Sequence, residues 1–205
     1  GGRVVEADVR AAADQPAGPA LPPGVPEPSD IAPLTGIRRS IADHMRSSIA
    51  STAQLSFFLE VDVTELQRLR KEASSQSDGT IGMAHALTKA CADTLGRHPQ
   101  LNTVLSEGRI LRFNQVDVGI ATALSEGLIV PVIRGADKKT ALEIARETDD
   151  LSARAKDSKL LPDEVVGGTF TISVLGTVDG FTPILSSGQS AILGVGRSVE
   201  KPVVR

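Results

Sequence analysis

The chain has 205 residues, of which 40% are hydrophobic and 23% charged, with a net charge of -3. That make-up predicts a soluble globular protein with room for one sizeable core or two small ones. Scattered positive charge and an aromatic content of 2%, with no Trp or Tyr, leave no nucleic-acid footprint and no base-stacking platform. No apolar run approaches the roughly 20 residues that span a bilayer, so no membrane partner is expected. No signal peptide is visible, although a chain beginning at Gly1 without Met implies that its natural N-terminus lies upstream. No set of metal-ligating residues stands out. The single Cys91 cannot form an internal disulfide, and the reducing cytoplasm is the expected compartment.

Residues 1–10, GGRVVEADVR, read as the end of a module and are too short to fold alone. Residues 11–33 are rich in Ala, Pro and Gly without apolar periodicity, the composition of a flexible to semi-extended tether. The globular part is expected from Leu34 onward, as a domain over 34–205. Ile37, Ile41, Met45 and Ile49 recur every fourth residue and predict an amphipathic helix. Leu55, Phe57, Leu59, Val61 and Val63 alternate with Ser56, Phe58, Glu60 and Asp62, which predicts a strand. Thr64 is the expected N-cap of the next helix, with Gln67 at the capping-box position. That helix turns Leu66 and Leu69 inward and Arg70 to its exposed side, where a solvated surface charge is the plain reading.

Ile81 to Arg97 predicts a longer helix with a core stripe of Ala84, Leu87, Ala90, Cys91 and Leu95, closed by His98-Pro99. Cys91 on that stripe reads as a buried structural thiol and not as a nucleophile. Residues 101–113 read as a β-hairpin turning at Glu107-Gly108. Val116, Val118 and Ile120 alternate again. After a turn at Glu126-Gly127, Leu128 to Ile133 reads as one apolar strand, which Pro131 assigns to an edge or a bulge. Thr140 and Glu143 form a capping box for a further helix, and Lys138-Lys139 before it read as solvated lysines, not a phosphate clamp.

The richest stretch is Gly167 to Gly196, GGTFTISVLGTVDGFTPILSSGQSAILGVG. Phe170, Ile172 and Val174 alternate with Thr169, Thr171 and Ser173, so one face of the strand is apolar and the other carries three hydroxyls. On chemistry alone an ordinary half-buried strand is the plain reading. A second apolar run, Ala191 to Gly196, follows a Pro- and Ser-containing connection. Helices and strands mix without strict alternation, so the class is α/β or α+β with a mixed sheet, not a doubly wound nucleotide fold. GVGRSV lacks the helix that a dinucleotide loop needs after it.

Three stretches resemble the dihydrolipoamide acyltransferases of 2-oxo acid dehydrogenase complexes. They are LTGIRRSIADHMRSS, VDVGIATALSEGLIVPVIRGADKKTALEIARETDDLSARA, and GGTFTISVLG with FTPILSSGQSAILGVGR. The similarity covers Leu34 to Val204. It implies a chloramphenicol-acetyltransferase-like α/β fold, a mixed sheet with flanking helices. It also implies a homotrimer, assembled into a larger hollow core, with the active site in a channel between subunits. By the same resemblance, residues 1–10 end a peripheral-subunit-binding domain and 11–33 are the interdomain linker. The implied reaction moves an acyl group, acetyl as the common case, from dihydrolipoamide to coenzyme A, as in pyruvate dehydrogenase. The lipoyl group would ride on a lipoyl domain outside this chain. The implied partners are the decarboxylase and dihydrolipoamide dehydrogenase components. Ser173 matches the family's oxyanion-stabilising hydroxyl, Arg70 its arginine beside the coenzyme A nucleotide, and Gly196 a backbone position near coenzyme A.

The sequence also departs from the family. The family's HxxxDG motif, whose His removes the thiol proton, is absent: none of His44, His85 and His98 is followed by Asp at the fourth position. The resemblance places that motif, a strand and a final helix beyond Arg205, so the chain is expected to be cut at both ends and inactive alone. Val174 stands where the family often has Asn, and Gly82 and Ala123 fall where relatives offer polar side chains. A non-catalytic scaffold relative and a stand-alone acetyltransferase remain as alternatives, the tether arguing against the second.

Overall fold

A computed structural model describes residues 5–6, 21–125 and 127–202, with Ile37 as backbone only. The chain divides into two units, Gly1–Leu34 and Thr35–Arg205. In the first, residues 21–34 form no helix or strand and are all exposed. A stretch with so few apolar anchors cannot offset the entropy of ordering it. The expected module remnant at 1–10 lies outside the described residues apart from Val5 and Glu6.

The second unit opens with three helices: α1 (Gly36–Ser51), α2 (Thr64–Ser75) and α3 (Met83–Arg97). Strands β1 (Thr103–Ser106) and β2 (Arg109–Arg112) form the expected hairpin. Glu107 and Gly108 both take positive φ, 49° and 71°, as a tight hairpin turn demands. There follow β3 (Val118–Ile120), β4 (Thr122–Leu124), β5 (Gly127–Ile129), β6 (Val132–Ile133), α4 (Ala141–Lys156), β7 (Phe170–Val174) and β8 (Ile192–Val195). The central sheet has the order β6-β3-β7-β8. β3 runs antiparallel to β6 and parallel to β7, and β8 is parallel to β7. This is the mixed α/β arrangement that the pattern predicts.

One face of the sheet makes the core. Phe170 and Ile172 of β7 and Val118 and Ile120 of β3 pack with Ala92 and Leu95 of α3 and with Ile144 and Leu151 of α4. The capping box that starts α4 is formed: Glu143 N–H donates to Thr140 Oγ1 at 3.2 Å, and Thr140 N–H donates to Glu143 Oε2 at 2.7 Å. Cys91 lies against this core, and burial pushes its thiol pKa up to about 11.

Four local expectations are corrected. Leu55 to Val63 is not a strand: the segment carries no regular structure, and Leu55, Phe57 and Leu59 are 77%, 86% and 87% exposed. Alternation supplies two faces, but a strand also needs a neighbouring backbone to bond. Thr64 is the first residue of α2 and not its cap; the carboxylate of Asp62 accepts its N–H at 2.9 Å. The third helix starts at Met83, after a buried Ile81. The apolar run Leu128 to Ile133 is two strands in two sheets, β5 with β4 and β6 with β3, divided at Val130 and the fully buried Pro131. Proline has no N–H for a ladder, so the run breaks there.

Candidate functional site

The parallel strands β7 and β8 place Ser173 beside Gly194 and Val174 beside Val195. Neighbouring residues in register point to the same face. Phe170, Ile172, Leu193 and Val195 therefore face the core, and Thr169, Thr171, Ser173 and Gly194 face the other side.

The three hydroxyls of that second face differ in what they touch. Thr169 is 4% exposed and donates to Asn102 Oδ1. Thr171 is 1% exposed and donates to Gln189 Oε1 at 2.8 Å. Ser173 is partly exposed, and its hydroxyl makes no hydrogen bond among the described residues. Two hydroxyls are thus engaged by the protein, and the third is left free to donate.

The segment 175–190 returns across this face and is held at several points. Gln189 Nε2 donates to Gly168 O at 2.7 Å, so one buried amide bridges two positions of the β7 segment. Ser190 and Thr103 join their hydroxyls. Ser48 of α1, fully buried, donates to Leu185 O, and Leu185 N–H donates to Gln54 Oε1 at 3.3 Å. Near the start of the segment, Arg197 grips both carboxylate oxygens of Asp179, at 2.6 and 3.1 Å, and its N–H donates to Val178 O at 2.8 Å. The Arg197 guanidinium holds the Asp179 carboxyl below its usual range.

Gly196 lies just past β8, at the same end of the sheet as Ser173. Its bareness has a packing cause: a Cβ there would stand 2.2 Å from Asp179 O and 2.9 Å from Val178 O. Arg70 differs from its expected surface role. It is partly buried on α2, its Nη1 donates to Ile81 O at 3.2 Å, and its Nε is buried without a hydrogen-bond partner. No hydrogen bond joins Arg70 to Ser173 or Gly196. The structure therefore brings Ser173 and Gly196 to one sheet end, and Arg70 belongs to another element.

None of the histidines hydrogen-bonds to Ser173. His44 and His98 are exposed, while His85 is partly buried at the start of α3, where its Nδ1 accepts the Gly82 N–H at 3.1 Å. Burial lowers the His85 pKa, with Asp149 acting in the opposite sense. Among the described residues no group of three or more His, Cys, Asp or Glu side chains could hold a metal ion, and no helix is long and apolar enough to cross a membrane. Sequence reasoning missed Gln189 and Ser48. Only Gln189 leaves a trace in the sequence, as one long polar residue among small ones just ahead of an apolar run.

Comparison with known proteins fits this geometry. The family described as 2-oxoacid dehydrogenases acyltransferase (catalytic domain) matches residues 26–205. The dihydrolipoyllysine-residue acetyltransferase component of the acetoin cleaving system of Bacillus subtilis is 37% identical over 99% of this chain, and the chain spans about half (52%) of that protein's length. The dihydrolipoamide acetyltransferase of Azotobacter vinelandii, whose catalytic mechanism has been investigated through a serine, a histidine and an asparagine, superposes with a TM-score of 0.81. It is 32% identical, with 90% of this chain and 81% of that one covered. The cubic core of the pyruvate dehydrogenase multienzyme complex matches with a TM-score of 0.80 at 32% identity, over 90% of this chain and 81% of that one. On the shared sequence over 26–205 and the shared fold, the chain belongs to the acyltransferase family of the 2-oxo acid dehydrogenases, within its catalytic domain.

Proposed function

We propose that this chain is the acyltransferase part of a core subunit that moves an acyl group from dihydrolipoamide to coenzyme A. Acetyl is the group named in its relatives. The observation that carries the reading is the unengaged hydroxyl of Ser173, on a face where Thr169 and Thr171 are both engaged. Coenzyme A supplies the thiol nucleophile. As a C–S bond to it forms and the C–S bond to the dihydrolipoyl sulfur breaks, negative charge collects on the thioester oxygen. Ser173 donates a hydrogen bond to that oxygen. The thiol proton passes to a base and returns to the departing dihydrolipoyl sulfur, so the exchange needs no oxidant. A thiol is mostly protonated near pH 7, which is why a base is required. Arg70 is the candidate for the nucleotide phosphates: its hydrogen bond to Ile81 O uses Nη1 alone, and a guanidinium suits phosphate. Gly196 would meet the cofactor through its backbone, since Asp179 O fills the space where its Cβ would stand.

The subunit would form trimers and then a larger core, working with decarboxylase and dihydrolipoamide dehydrogenase components; what supports the core assembly is the likeness to the cubic core of a multienzyme complex. Residues 11–33 suit the linker, residues 1–10 the remnant of a subunit-binding module, and the lone Cys91 a cytoplasmic setting. The test is acetyl transfer from S-acetyl-dihydrolipoamide to coenzyme A by the full-length protein. Ser173→Ala should lower kcat by about 10²–10³-fold, the worth of one well-aimed oxyanion donor. An unchanged kcat would remove Ser173 from the mechanism. No transfer by the full-length protein would leave a scaffold.

A further inference from the structure

We infer that Phe181 and Pro183, seated over the bare backbone of Gly194, form the wall that selects which acyl group fits beside Ser173. The inference rests on the acyl-transfer reading of Ser173 and goes beyond it to the substrate. Ser173 and Gly194 are register partners on adjacent strands, about 4.8 Å apart as strands are spaced, and both project to the same face. What stands over Gly194 therefore stands next to the Ser173 hydroxyl. A Cβ on Gly194 would meet Pro183 Cδ at 3.0 Å, Pro183 Cγ at 3.2 Å and Phe181 Cζ at 3.4 Å. The pyrrolidine ring and the tip of the phenyl ring thus lie directly on the strand, in the space that a glycine leaves.

The wall is also fixed in place. Upstream of Phe181, Arg197 holds Asp179 by both oxygens and the Val178 carbonyl by its N–H. Downstream of Pro183, Ser48 and Gln54 hold Leu185, and Gln189 holds Thr171. A fixed wall can discriminate by size, where a loose loop would yield. Its surface is hydrocarbon. The basic residue that follows β8, Arg197, already pairs through Nε and Nη2 with both carboxylate oxygens of Asp179. A carboxylate-bearing acyl group such as succinyl would lose hydration against that hydrocarbon, a cost that a neutral acyl group does not meet. The chemical class selected is a short, neutral acyl group.

The full-length protein would be assayed with S-acetyl-, S-isobutyryl- and S-succinyl-dihydrolipoamide and coenzyme A, comparing kcat/KM between donors. Acetyl should be preferred over both larger groups. Phe181→Leu removes ring volume and should raise the isobutyryl-to-acetyl ratio about tenfold, the usual effect of a methylene or two in an apolar pocket. Gly194→Ala adds a methyl to the same wall and should move the ratio the other way. Misfolding lowers all three rates alike, so opposite movements of a ratio cannot come from it. If transfer depends on Ser173 but both ratios stay within about twofold of the parent, or if the parent prefers succinyl, the wall assignment is overturned and the acyltransferase reading stands. If no donor reacts, the acyltransferase reading falls, and this inference falls with it.

Discussion

At the scale of single residues, three hydroxyls on one strand show that a side chain's neighbours decide its use. Thr169, Thr171 and Ser173 are chemically similar and two residues apart, yet Asn102 and Gln189 engage only the first two. The alternation that puts them on one face is legible in the sequence. Which of them stays free is not, because Gln189 reaches Thr171 only after segment 175–190 has closed over the strand. Gly196 teaches the same lesson: a glycine that motif similarity ties to a cofactor is bare in the fold because Asp179 O crowds it. Cys91 is the simplest case, since its place on an apolar helical stripe already marks a structural thiol. With its pKa raised to about 11 by burial, little thiolate exists near pH 8. Native protein should react with iodoacetamide far more slowly than protein unfolded in denaturant, as mass spectrometry would record; equal rates would mean that the thiol is open.

At the scale of elements, caps and breaks were readable where one residue type supplies the cause. Thr140 and Glu143 cap α4 as their spacing says. Pro131 did end a strand, but the sequence could not show that the halves would join different sheets. The segment 55–63 has the pattern of a strand but pairs with no strand among the described residues, a property no single stretch can reveal. Beyond α4, the turn at Pro162–Glu164 is fastened by two hydrogen bonds from Arg154 to Glu164, each 2.6 Å. Those bonds, with the Leu161 N–H, hold the Glu164 carboxyl at about 2, against an ordinary 4.5. A carboxyl depressed in the folded state adds stability above its unfolded pKa and loses it as pH falls through the folded one. The stability difference between the parent and Glu164→Gln should therefore be constant above about pH 4.5 and shrink toward pH 2. Denaturant midpoints measured across that range would check it; a difference independent of pH would show that the pair contributes nothing through charge.

At the scale of the whole molecule, the mixed sheet holds elements drawn from across the second unit. The class was legible because strands and helices alternate imperfectly, which excludes the fully parallel folds. The order β6-β3-β7-β8 was not, since short strands such as Val132–Ile133 carry too little pattern to name their neighbours. That order has a kinetic consequence. β3 pairs in parallel with β7 only after the chain has run through β4, β5, β6 and α4, and β8 must still come in on the far side of β7. A ribosome must release Val195 before the sheet can close, and until then Phe170 and Ile172 have no β8 flank. Closing distant segments costs loop entropy before any contact repays it, so this closure should be the slow step of folding. In a refolding experiment with pulsed hydrogen exchange, amides of α4 should gain protection first and those of β7 and β8 last. Simultaneous protection of all three would mean that the helix does not wait ahead of the sheet.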